Sequence, residues 1–121
     1  MLVGNAAPEE FAQGAPKMES MDGGSTKLAG AVFLQALFEV RAGAMCEMLP
    51  PALHPTLPPV AGISLIDVAE SEWGPFRLAQ LRIECRSGLR PRALLVSAVI
   101  NNGGASDALR DRYGFRLRDG D

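Results

Sequence analysis

A chain of 121 residues, 47% apolar and carrying a net charge of −2, is long enough for one globular domain and no more. The slight acidic excess gives no electrostatic reason to expect nucleic acid or an anionic membrane as a partner. Two cysteines, Cys46 and Cys85, make neither a disulfide framework nor a metal cluster. Both sit among apolar residues and are expected to be buried, reduced thiols. No basic region precedes a long apolar run at the N-terminus, and the longest apolar runs, 28–34 and 93–100, are too short to span a bilayer. A soluble cytoplasmic protein is the expectation.

Residues 1–26 combine glycines, prolines and acidic residues without hydrophobic periodicity, which predicts a mobile tail, with Phe11 the one residue suited to docking. The domain then covers residues 27–121. Residues 28–40 are apolar almost throughout and read as a buried strand, although so short a run also suits a helix. Good helix formers fill 42–49, with Met45, Met48 and Leu49 sharing a face. Pro50 and Pro51 end that helix because neither can donate a backbone hydrogen bond. Five prolines between 50 and 59 hold the next stretch extended.

A second strand is predicted over 60–68 and a third over 76–85. In the third, Leu81, Ile83 and Cys85 alternate with Arg82, Glu84 and Arg86. Phe76 and Leu78 have the opposite parity, so a bulge is expected near Ala79 or Gln80. Ser87 and Gly88 make a turn. The run 93–100 is apolar at nearly every position and reads as a central strand covered on both faces. Asn101 to Gly104 break it as an ordinary turn, since no lysine follows to make a phosphate loop. Ser106 suits an N-cap for a helix over 107–112, with Gly114 just past its end. Strands dominate, so the fold class is α+β, mainly antiparallel β, with two short helices.

Several residue types suited to chemistry have simpler explanations. His54 stands alone in the proline-rich loop and reads as structural or surface. Asp67, Glu70 and Glu72 gather at a strand end, where carboxylates are normally solvated. Arg82, Arg86, Arg90 and Arg92 surround the Ser87–Gly88 turn as a soluble hairpin rim, although an arginine facing a cavity could grip a carboxylate. Arg110 and Asp111 suit substrate contact or, equally, a salt bridge anchoring the last helix.

Three spaced segments together resemble the acetoacetate decarboxylase family: EVRAGAMCEMLPPALHP at 39–55, WGPF at 73–76 and ALRDRYGF at 108–115. The second is similar to the family's aromatic-Gly-x-aromatic entry into a barrel strand. The third resembles a family motif of Gly-Arg-Glu followed by aromatic-Gly-aromatic-Pro-Lys. The likeness runs from about residue 28 to the last residue and corresponds to the first half of a family member. It implies an antiparallel β-rich barrel, here a partial one, whose interior holds a lyase site.

Carried over residue by residue, Arg110 matches the family arginine and Asp111 keeps the acidic character beside it. The reactive lysine falls on Leu117 and its lysine neighbour on Arg118. The family's cavity carboxylate falls on Leu78. Schiff-base decarboxylation needs a primary amine, which neither leucine nor arginine supplies. Lys17 and Lys27 are the only lysines, both in or beside the predicted tail.

The resemblance therefore implies a divergent domain without catalytic residues or cofactor. It would bind a small keto acid or related carbonyl compound through Arg110, Asp111, Arg92, Phe76, Leu78 and Leu117. The alternative is a non-catalytic, half-length homologue that works as a homo-oligomer or with a complementary chain, because half a barrel leaves the 93–100 strand uncovered.

Overall fold

The computed structural model describes residues 2–13, 15 and 24–120. Its elements are α1 (Pro8–Ala12), β1 (Ala29–Glu39), α2 (Ala42–Met48), β2 (His54–Pro55), β3 (Val60–Glu70), β4 (Phe76–Ser87), β5 (Arg90–Ile100), α3 (Gly103–Tyr113) and β6 (Arg118–Asp119). The strands form one six-stranded, mostly antiparallel sheet in the order β1-β3-β4-β5-β6, with β2 pairing beside β4. β2 runs antiparallel to β4, with His54 opposite Arg86 and Pro55 opposite Cys85. β6 runs parallel to β5, with Val99 opposite Arg118 and Ile100 opposite Asp119. The sheet does not close: β1 and β6 stand at opposite ends of the order. The α+β class stands, while the barrel is an open sheet and the described helices number three.

The chain divides into two compact units, and each long strand gives one part to each. Unit one takes Met1–Gly14, Ala36–Ile63 and Leu81–Val96. Its core joins Met45 of α2 and Leu49, the residue that caps that helix, to Ile83 and Cys85 of β4, with Val40, Leu53, Leu94 and Val96 around them. Burial pushes the Cys85 thiol pKa up.

Residues 2–13 lie within the predicted tail, yet part of this stretch is bonded. Gly4 N–H donates to Leu53 O (3.0 Å), Asn5 N–H to Cys46 O (2.8 Å) and Ala6 N–H to Leu49 O (2.9 Å). The last two serve carbonyls of the final turn and C-cap of α2, which have no partner within the helix. A side chain at Gly4 would collide with the carbonyls of Leu49 and Pro50. His54 Nδ1 lies 3.3 Å from Leu2 O. The rest of the predicted tail, at 1, 14 and 16–23, lies outside the described residues.

Unit two takes Ala15–Gln35, Ser64–Gln80 and Ser97–Asp121. It buries Val68, Phe76, Leu78, Ala98, Ile100 and Ala105. α3 starts earlier than predicted. Its N-cap is Asn102, whose side chain accepts from Ala105 N–H, whereas Ser106 is buried inside the helix with an unpaired hydroxyl. Gly114 closes the helix as predicted: at φ +68° its N–H donates to Arg110 O, and Phe115 N–H donates to Leu109 O.

Two burial expectations are corrected. β1 is a strand, but an exposed one, with Val32 69% and Phe38 42% accessible. The reason is position: β1 is an edge strand beside β3 alone, and an open sheet brings no further layer onto it. β5 is central, but only Ala98 and Ile100 are buried while Val99 between them is exposed. One face of that segment is covered and the other is not. In β4 the buried set runs Phe76, Leu78, Gln80 and then Ile83, Cys85. The parity change falls at Leu81–Arg82, just beyond the bulge position predicted.

Candidate functional site

In unit two, the link between β3 and β4 is a tight turn built by Ser71. Its Oγ donates to Gly74 O (2.6 Å) and accepts from Trp73 N–H (3.1 Å). Gly74 takes φ +86°, a conformation that excludes most side chains. Asn102 then fixes the turn from the helix side, its Nδ2 donating to Trp73 O (2.9 Å) and Pro75 O (3.1 Å). Asn101 Oδ1 accepts from Arg77 N–H at 2.7 Å. The result sets the Trp73 and Phe76 rings 6.2 Å apart at 56°, a tilted pairing favoured by the ring quadrupoles.

α3 supplies the opposite wall. Leu109 and Tyr113 lie one turn apart, and the Gly114 cap turns the chain so that Phe115 joins them. Residues 24–28 complete the cleft: Tyr113 Oη donates to Gly24 O (3.2 Å) and lies 3.4 Å from Thr26 Oγ1. Thr26 Oγ1 donates to Glu72 Oε1 (3.1 Å), which also takes Arg112 Nη1 at 3.0 Å. The cleft encloses about 400 Å³. Leu78 and the buried amide of Gln80 also line it. A second hollow of about 340 Å³ is lined by Val32, Leu34, Leu65 and Val99, with the exposed pair Asp67–Arg77 (3.2 Å) among its walls.

The predicted site residues divide. Phe76 and Leu78 meet in the cleft wall. Arg110 and Leu117 meet differently: Arg110 Nη2 donates to the Leu117 carbonyl at 2.7 Å and lies 3.7 Å from Asp119 Oδ1. The guanidinium thus ties α3 to the segment carrying β6, and the buried Leu117 side chain lines neither hollow. Asp111 is exposed on α3. Arg92 belongs to unit one, is exposed, and donates to Pro91 O at 3.1 Å. Of the carboxylate cluster, Asp67 and Glu72 each pair with an arginine.

Sequence reasoning did not select Trp73, Tyr113, Gln80 or Thr26. The first two stood in the quoted aromatic-glycine motifs, and Gln80 was the polar residue on an otherwise apolar strand parity. Thr26 had no signal. Among the described residues no lysine lines the cleft: Lys27 is exposed between Thr26 and Leu28. Lys17 lies outside the described residues. The described residues hold no cluster of His, Cys, Asp or Glu that could bind a metal. None of their helices is long and apolar enough to cross a membrane.

An open, mostly antiparallel sheet with a capping helix and an apolar cleft defines an α+β domain of acetoacetate decarboxylase-like fold. The likeness is to the crystal structure of an acetoacetate decarboxylase from Legionella pneumophila, with a TM-score of 0.72 and 18% identity. The match covers 93% of this chain and 46% of that one, so the chain spans just under half its neighbour's length. No family model matches the sequence. No curated protein matches it either.

Proposed function

We infer that the chain is a binding domain that takes a small keto acid or related carbonyl compound in the unit-two cleft, without Schiff-base decarboxylation. The observation that carries this reading is an aromatic, apolar cleft whose lining, among the described residues, holds no primary amine. Imine formation needs such an amine to attack the carbonyl carbon and expel water. An arginine stays protonated and does not replace it. The sequence position matching the reactive lysine is Leu117, and Arg110 is occupied with that residue's carbonyl. The two free, buried thiols support a reducing, cytoplasmic setting.

Incubation with acetoacetate and borohydride, followed by mass measurement and carbon dioxide release, tests the reading. Neither a reduced adduct nor gas is expected. An adduct on Lys27, or release above the uncatalysed rate, overturns it.

A second reading rests on β1. Eleven residues of edge strand carry one charge, Glu39 at the end, and expose Val32, Phe33, Leu34, Leu37 and Phe38. Natural edge strands are normally protected by charge, proline or cover. A chain that works non-catalytically through a second copy or a complementary chain would cover this edge. Sedimentation as a folded monomer at high concentration would exclude the second copy.

A further inference from the structure

Resting on the reading of the unit-two cleft as the binding site, we propose that its ligand is an uncharged, apolar carbonyl compound, a ketone or ester, and not a keto acid. The apolar walls are Trp73, Phe76, Leu78, Leu109 and Phe115, and among the described residues no lysine or arginine lines the cleft. The arginines of α3 are directed elsewhere: Arg110 Nη2 to the Leu117 carbonyl (2.7 Å) and Arg112 Nη1 to Glu72 (3.0 Å). Two charged groups contact lining side chains and pair with each other: Thr26 donates to Glu72, and Arg112, whose guanidinium lies over the Tyr113 ring at 5.6 Å, bonds that same carboxylate. A carboxylate entering this cleft would lose water against apolar walls, and the described cation in contact with the lining, Arg112, is already paired with Glu72, so the transfer is costly.

A neutral carbonyl oxygen meets no such cost. It needs one donor, and Gln80 places an amide in the wall with the residue only 5% exposed. A primary amide has two N–H donors and an acceptor oxygen, so it serves a protein partner and a ligand together. The apolar substituent then packs against the tilted Trp73–Phe76 pair. About 400 Å³ falls within the range of small-molecule sites.

The chain's one tryptophan is Trp73 in the cleft wall, so intrinsic fluorescence reports occupancy. Titrating the full chain with 2-hexanone and with 2-oxohexanoate compares ligands that differ by a methyl against a carboxylate. Saturation by the ketone is expected at concentrations about tenfold lower or better. Equal or tighter binding of the keto acid overturns this inference and leaves the binding reading intact. Saturable binding of neither overturns both.

Leu28→Arg puts a cation at an exposed lining position and is expected to narrow or invert the preference. An unchanged preference contradicts the charge argument. Gln80→Leu is expected to weaken the ketone about fivefold, and unchanged affinity in a folded variant refutes the donor role. Should that variant not fold, the ligand pair on the unaltered chain decides.

Discussion

Replacing Asn102 with alanine removes three bonds, one that caps α3 and two that tie it to the Trp73 turn. Oδ1 caps α3 by accepting from Ala105 N–H at 3.1 Å, and loss of such a cap costs about 1 kcal/mol. Nδ2 donates to Trp73 O at 2.9 Å and to Pro75 O at 3.1 Å. Each donation contributes about 0.5–1.5 kcal/mol net, and the solvent-exposed Pro75 bond belongs at the low end. The sum is about 2–3 kcal/mol, a substantial part of the roughly 5–15 kcal/mol that stabilises an ordinary domain. Urea unfolding followed through Trp73 should show a lower midpoint at unchanged slope. Asn102→Ser keeps a capping oxygen but not the reach to Trp73, so it should recover only the cap, about 1 kcal/mol. A loss below about 0.5 kcal/mol for alanine, or a serine variant as stable as the unaltered chain, would refute the assignment of these bonds.

Other perturbations test separate parts of the molecule. Burial raises the Cys85 thiol above its ordinary 9.0, with the Leu94 backbone bond opposing. The folded state therefore holds that proton more tightly than the unfolded one. Its stabilising contribution is full below the unfolded pKa and is lost as pH rises through the folded value. The urea midpoint should fall above pH 9, and a decline that persists in Cys85→Ala would assign it to another group. Gly30→Ala meets φ +61° and a Cβ contact of 2.9 Å with Ala69 Cβ, so a loss of about 1–2 kcal/mol is expected in the same assay. Leu34→Lys alters an exposed site and should change stability by less than about 0.5 kcal/mol. If β1 meets a second copy, it should also shift sedimentation toward monomer, and an unshifted oligomer would place the contact elsewhere.

Local chemistry was legible in the sequence, and long-range contact was not. The helix around Met45 and Leu49, the strand with Ile83 and Cys85 facing one way, and the Gly114 stop all follow from spacing and backbone preference. Apolarity marked 29–39 as a strand, but a run of Val, Phe and Leu does not say what lies against it, and here β3 is its neighbour in the sheet order. Ser106 and Asn102 are both good caps by residue type. What separates them is an amide reaching carbonyls at Trp73 and Pro75, 29 and 27 residues away in the chain. Phe76 and Leu78 were reachable through the WGPF segment. Gln80 and Thr26 become lining residues only through the packing of α3 and the 24–28 segment.

The parity change at Leu81–Arg82 has a consequence for how this chain tolerates insertions and deletions. Even-numbered positions of β4 face inward up to Gln80, and odd-numbered ones do so from Ile83 onward. Deleting one residue at the switch would give the ribbon an uninterrupted two-residue rhythm, a tidier strand on paper. It would also turn Ile83 and Cys85 outward or force Phe76, Leu78 and Gln80 to do so, because a slip of one residue reverses every side chain beyond it. The apparent irregularity is what lets a single strand furnish two cores, so a length change is better tolerated at the exposed Gly88–Leu89 hairpin tip.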